Sequence, residues 1–107
     1  MTKLLTKSQA TDAQLQDMRD RIAKVVTFVT STVNYRLGRF PGAEAFSIKL
    51  AKWTEIGEDQ IEESPVILEA ARARLEADLR DAGFTHATVD LNYGGWFRCA
   101  SMHVRGL

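Results

Sequence analysis

The residues with the greatest chemical potential lie in one short segment near the C-terminal end of the sequence. The stretch "HATVDLNYGGWFRCASMHV", residues 86–104, contains both histidines of the chain, His86 and His103, together with Asp90 and the single cysteine, Cys99. Imidazole and thiolate groups bind zinc, and a cysteine beside a histidine can act as a nucleophile. The segment therefore raises two hypotheses, a metal site and a thiol enzyme.

The alternation of polar and apolar residues in this segment predicts a β-hairpin that turns at residues 93–95. A two-residue loop at Gly94-Gly95 pairs Val89 with Ala100, Ala87 with Met102, Asp90 with Cys99 and His86 with His103. A three-residue loop that includes Tyr93 pairs Leu91 with Phe97, Val89 with Cys99 and Asp90 with Arg98. We favour the two-residue loop because it buries the more apolar set of side chains.

The spacing within the favoured hairpin argues against both chemical hypotheses. The two histidines become neighbours on a polar sheet face, but Asp90 and Cys99 lie four residues further along their strands, which is about 13 Å at the rise of a strand. Zinc sites use three or four protein ligands, and a thiol nucleophile needs a histidine within hydrogen-bonding reach. We therefore predict no metal ligands, no catalytic residues and no cofactor.

Two helices are predicted ahead of the hairpin. In the first, "TDAQ" at 11–14 has the pattern of a capping box, and Gly38 is expected to end the helix. Its apolar stripe continues through a β-branched stretch at 25–35, and residues 1–10 are expected to form a frayed segment. The second helix follows Ser64-Pro65 and ends at Gly83. The apolar stripe of the first helix comprises Leu15, Met18, Ile22, Val25, Val29 and Val33, and that of the second Leu68, Ala71, Leu75, Leu79 and Ala82.

Between the helices, "EAFSIKLAKW" at 44–53 alternates with a period of two and predicts one strand, followed by a solvated acidic loop at 55–63. The resulting α-β-α-β-β order predicts an α+β fold, a single domain spanning residues 1–107. It contains a small, three-stranded, mostly antiparallel sheet with both helices packed on one face. Because two helices cannot cover both sides, the other side is expected to be open. The candidate binding residues on that side are Lys49, Trp53, His86, Phe97 and His103, with Cys99 beside them.

Composition limits the classes of function that the chain can serve. It has 107 residues, 45% of them hydrophobic, and 14 basic residues balance 14 acidic ones. A general nucleic-acid binder usually has a basic excess, so this class is less favoured. One cysteine allows no disulfide within the chain, and we find no signal-peptide pattern and no apolar run long enough to span a membrane. We expect a cytoplasmic protein without membrane contact.

These observations favour a small, non-catalytic protein-binding module that acts through the exposed sheet face. Accessory inhibitors and regulators of bacteria and phages are proteins of this kind, and self-association is also expected, because exposed tryptophan and phenylalanine side chains are typical interface anchors. One alternative is a single-stranded nucleic-acid-binding protein that stacks bases on Trp53 and Phe97. A further alternative is a thiol or metal enzyme that uses Cys99, His86 and His103.

Overall fold

A computed structural model describes residues 4–54, 57–93 and 100–107, with the backbone alone described at 52–54 and 57–59. The elements are α1 (Lys7–Arg39), β1 (Ala45–Lys49), β2 (Ala51–Thr54), β3 (Gly57–Gln60), α2 (Pro65–Asp81), β4 (Thr88–Asn92) and β5 (Ser101–Arg105). The predicted α+β fold is confirmed. The small hairpin of β2 and β3 is an addition to the predicted order.

Helix α1 begins at Lys7, five residues before the position that the sequence indicates, so residues 7–10 are helical and the frayed segment predicted at 1–10 is wrong there. Thr6 is the cap: its hydroxyl accepts from the amide of Gln9 at 3.2 Å, and the Gln9 side chain accepts from the amide of Thr6 at 3.0 Å. The capping box predicted at 11–14 is therefore wrong. Thr11 lies inside the helix and donates to the carbonyl of Lys7. Both stretches have the T-x-x-Q pattern, and the earlier one adds a turn of backbone hydrogen bonds to the helix.

The C-terminal ends of the two helices agree only in part with those predicted from the sequence. Helix α1 continues through Gly38 to Arg39, and the positive φ of 85° falls on Gly42 in the next turn, so the predicted end at Gly38 is wrong. Helical hydrogen bonding continues there, because the amide of Phe40 donates to the carbonyl of Arg36 at 2.8 Å. The end of α2 at Gly83, with a φ of 106°, is confirmed.

The main sheet has the order β1-β5-β4, and both pairings are antiparallel. Alternate residues of its strands point toward the helices, and the side chains of Ile48, Val89, Met102 and Val104 are almost entirely buried there. These strand residues share one core cluster with the buried residues of both helices: Val25, Val26, Val29, Val33, Leu68, Ala71 and Leu75. The prediction that both helices pack on one face of the sheet is confirmed.

The pairing of β4 with β5 differs from both predicted registers. Val89 lies opposite Val104 and Leu91 opposite Met102, a shift of four residues from the favoured register. The observed register places larger apolar side chains opposite each other than a pairing of Val89 with Ala100 does, and cross-strand contacts of this kind stabilise sheets. Because four is even, the residues of β5 keep the faces that the favoured register predicted.

The strand predicted at 44–53 divides at Leu50. Phe46, Ile48 and Leu50 point inward as expected, but β1 ends at Lys49 and β2 pairs with β3 in a separate two-stranded sheet. The acidic segment is therefore not entirely a loop. Trp53 belongs to this second sheet, opposite Glu58, and not to the sheet that carries Lys49.

Two matched substitutions test this assignment of the core. Val29 is fully buried in α1 and Val66 is 65% exposed in the first turn of α2, so replacement by alanine removes the same atoms from a buried and from an exposed position. We expect Val29→Ala to lower the free energy of unfolding by about 2 kcal/mol through lost burial and cavity formation. Val66→Ala should change it by less than about 0.5 kcal/mol. Urea denaturation followed by circular dichroism measures both, and equal effects would contradict the assignment.

Candidate binding face of the sheet

The side of the main sheet away from the helices, called the outer face below, is a grid of nine positions. Its three rows run across β1, β5 and β4 in register: Ala45, Arg105 and Thr88; Ser47, His103 and Asp90; Lys49, Ser101 and Asn92. All nine residues are exposed or partly exposed, whereas their neighbours along the strands are largely buried. Eight of the nine have polar or charged side chains, so the outer face can form many hydrogen bonds with a molecule placed against it.

The middle row brings together the residue types of a serine-hydrolase triad. Within the described part of the chain, however, no hydrogen bond joins His103 to Ser47 or to Asp90, and Asp90 instead accepts from Arg105 in an ion pair. Nucleophilic catalysis needs a nucleophile, a base and an orienting group linked by hydrogen bonds. The row is therefore a polar surface without the linkage that this chemistry requires.

The charges on the outer face are predominantly positive. Lys49 and Arg105 are cations, and Asp90, the one carboxylate of the grid, pairs with Arg105. Lys49 is the diagonal neighbour of His103, a separation of about 7–8 Å between such positions. The outer face of a neutral chain thus carries a formal charge of +1, a small positive excess that favours acidic groups on a molecule placed against it.

The structure brings together only some of the predicted binding residues. Lys49 and His103 lie on the outer face. His86 lies in the turn before β4, where its carbonyl oxygen is so close to Gly106 that a Cβ there would approach it to 2.2 Å. The predicted pairing of His86 with His103 is wrong, because the shifted register places His103 opposite Asp90.

The remaining candidates cannot be placed on the outer face. Trp53 lies on β2, in the other sheet. Phe97 and Cys99 fall outside the described residues, as does the predicted Gly94-Gly95 loop. In residues 4–54, 57–93 and 100–107, no three His, Cys, Asp or Glu side chains are grouped so that they could hold a metal ion. Among the same residues, no helix is both long and apolar enough to cross a membrane.

Both edges of the main sheet carry arginine side chains that occupy outward carbonyl groups, a feature that the sequence did not predict. From α2, Arg72 donates to the carbonyl of Val89 at 3.1 Å and Arg80 to that of Ala87 at 3.2 Å. From α1, Arg36 donates to the carbonyl of Ser47 at 2.8 Å. Free edge strands can pair with other chains, and covering them prevents this. These contacts oppose self-association by edge-to-edge strand pairing.

Removal of the arginine side chains that cover the edge of β4 should promote aggregation. In the double variant Arg72→Ala, Arg80→Ala the edge carbonyls lose their donors, and we expect faster growth of light scattering on mild heating, with a fibrillar or β-rich product. Arg74→Ala is the matched control, because among the described residues Arg74 pairs with Asp78 of the same helix alone, at 4.0 Å. Equal aggregation of the double variant and the control would show that the arginines do not protect the edge.

The buried charged group of the described structure is Glu62, which precedes α2. Arg21 of α1 donates to it from Nε at 2.8 Å and also from Nη2, and the amides of Glu63 and Ser64 donate at 3.2 and 3.1 Å. The hydrogen bonds from Arg21, reinforced by those amides and by the positive charge, lower the pKa of Glu62 despite its burial. Glu62 therefore connects α1 to the start of α2.

The ion pair of Arg21 with Glu62 makes the free energy of unfolding depend on pH in the acidic range. The pKa of Glu62 is lower in the folded protein than its ordinary value of 4.5, so its contribution is fully present above that value and is lost as the pH falls through the folded pKa. We expect Glu62→Gln to be less stable than the wild type at pH 7 and to lose less further stability between pH 5 and pH 3. Thermal unfolding across this range measures the effect. Glu63→Gln, at an exposed neighbouring residue, is the control. If the melting temperature of Glu62→Gln falls between pH 5 and pH 3 as steeply as that of the wild type, Glu62 is not the source of the pH dependence.

A cavity of about 110 Å³ lies between the C-terminal halves of the two helices. Its lining is mostly aliphatic and aromatic, with Asp78 as its charged residue. Pockets for drug-sized ligands usually have volumes of about 300 Å³ or more. A larger cavity, of about 350 Å³, is lined by Arg21, Lys24 and residues 60–63 beside the ion pair of Arg21 with Glu62. Because its two central charged groups already bind each other, we take the outer face as the stronger candidate for binding. Comparison of the chain with models of protein families, with curated proteins and with solved structures found no match.

Proposed function

We propose that this chain is a small, non-catalytic protein-binding module that contacts its partner through the outer face of the main sheet. The observation that carries the proposal is the difference between the two sides of the sheet. One side is buried under both helices, and the other exposes a continuous grid of hydrogen-bonding side chains. Because arginines occupy carbonyls at the edges, the partner docks on the face and does not extend the sheet.

The chemistry of the outer face indicates the kind of partner. Lys49 and Arg105 provide positive charge, while the hydroxyl and amide groups of Ser47, Ser101 and Asn92 form hydrogen bonds. A protein surface that presents carboxylates complements this pattern. An inhibitor or regulator requires only such binding, and the single cysteine fits the cytoplasm as its location.

Single-stranded nucleic acid is the less favoured ligand of the same face. Sheet-type readers of single strands stack bases mainly on large aromatic rings, and none of the nine outer-face positions holds Phe, Tyr or Trp. The balanced charge of the chain also lacks the basic excess that phosphate binding usually requires.

Charge reversal at Arg105 tests the proposed face against a closely matched control. Arg105 is 61% exposed and pairs with Asp90 on the outer face, whereas Arg74 is 56% exposed and pairs with Asp78 on α2. In crosslinked affinity capture from the source cells, we expect Arg105→Glu to reduce recovery of a specific partner protein by about tenfold or more. Arg74→Glu should capture it as the wild type does.

Circular dichroism and thermal unfolding must show that both variants remain folded. Equal recovery with Arg105→Glu and Arg74→Glu would exclude the outer face as the binding surface. Capture that nuclease treatment abolishes, together with a steep dependence on salt, would support the nucleic-acid alternative instead.

A further inference from the structure

The cavity of about 110 Å³ between α1 and α2 has a buried, apolar floor. The residues of this floor are at most 3% exposed: Val29, Val33, Leu75 and Val104. An apolar cavity of about 150 Å³ holds a benzene ring, so this one accommodates a slightly smaller group, of about four or five carbon atoms. The cavity is therefore too small for a drug-sized ligand but has the size of a short alkyl chain.

Three polar side chains stand at the rim of the cavity, and all three are exposed to solvent. Thr30 and Asn34 lie one turn apart on α1, and Asp78 lies on α2. Within the described part of the chain, the side chains of Thr30 and Asn34 form no hydrogen bond. Each of the three side chains has an oxygen atom that accepts hydrogen bonds. The rim can therefore receive a group that carries several donors.

The charge at the rim is negative. Asp78 is the charged residue among the described residues that line the cavity. It pairs with Arg74 at 4.0 Å, but the two side chains are 54% and 56% exposed, and exposed pairs at this distance contribute little. The carboxylate of Asp78 therefore keeps lone pairs for a second cation.

The directions of the helices add to this negative charge. Helices α1 and α2 run the same way, because Arg21 in the first half of α1 contacts Glu62 just before α2, and the later turns of both helices line the cavity. Each C-terminal helix end carries a partial negative charge. Two such ends and one carboxylate thus lie at the same side of the cavity.

The basic residues of the last turns are not part of the cavity. Arg36 and Arg80 donate to backbone carbonyls at the sheet edges, at 2.8 and 3.2 Å, and Arg39 is exposed. None of the three is among the described lining residues. The electrostatics of the rim therefore favour a cation, and the floor favours an alkyl group.

We propose that this cavity binds a small primary amine with a short, branched alkyl chain. The alkyl chain enters the cavity and is removed from water, while the ammonium group, which has three N–H donors, stays at the rim. There Thr30, Asn34 and Asp78 accept from it. Because the ammonium remains in contact with water, its charge does not incur the cost of burial. The site lies on the helix side of the sheet, goes beyond the proposed function and does not depend on it.

An NMR titration of the full chain at pH 7 and constant ionic strength tests the proposal with three ligands. Isopentylamine, isopentyl alcohol and isocaproate have the same alkyl chain and differ in the charge of the head group. We expect isopentylamine to shift the amide signals of residues 29–37 and 75–84 with a Kd of about 1–10 mM, as suits so few atoms. The alcohol should bind about fivefold more weakly, and isocaproate more weakly still, because Asp78 attracts only the cation.

Two pairs of variants separate the rim from the floor. Asp78→Asn should weaken the binding of the amine to that of the alcohol and leave the alcohol unchanged, whereas Asp81→Asn, at an exposed residue of the same helix outside the lining, should alter neither. Ala82→Leu places a larger side chain in the lining and should abolish binding of all three ligands. Ala77→Leu, at an exposed alanine of α2 outside the lining, should bind them as the wild type does.

Three outcomes would overturn the proposal. The absence of saturable shifts up to about 50 mM isopentylamine excludes the site. Equal Kd values for the amine and the alcohol, or for the amine in the wild type and in Asp78→Asn, exclude recognition of the ammonium group. Unchanged binding in a folded Ala82→Leu variant excludes the cavity. Circular dichroism confirms folding, and because Asp78→Asn changes an exposed side chain without changing its size, the test stands even if Ala82→Leu proves unstable.

Discussion

The central position of β5 is the constraint on which the rest of this structure depends. Met102 and Val104 are completely buried, and each has an apolar neighbour on both flanking strands and the helices above it. Because strand side chains alternate, burying these two residues forces Ser101, His103 and Arg105 to the opposite side. The composition of the outer face is thus a consequence of how the core is packed.

Local periodicity predicted most of what each element buries, with Leu15 and Ala82 as exposed exceptions, but not what each element pairs with. The alternation in β4 and β5 assigns Val89 and Met102 to the core in any register that differs by an even number of residues. The register depends on the bulk of side chains across the strands, and reasoning from Gly94-Gly95 placed His103 beside the wrong partner. Likewise, alternation continues from β1 past Leu50, although the pairing strand changes there.

The contacts that the sequence could not indicate are those between charged groups far apart in the chain. Arg21 and Glu62 are separated by 41 residues, and nothing in the acidic run around Glu62 distinguishes it from its solvated neighbours. Arg72 similarly fits an exposed helix position with acidic residues at helical spacing, yet it also reaches the edge of β4. The helical stripe of α2 was predictable because its period depends only on local spacing.

The helices and the edge arginines leave one side of the main sheet open. Both helices cover the other side, and Arg36 and Arg72 donate to edge carbonyls of β1 and β4. The outer face is therefore the surface of the sheet that the observations favour for contact with another molecule. Because its nine side chains stand on three strands whose opposite side forms the core, the positions of its polar groups are fixed by the same packing that stabilises the fold.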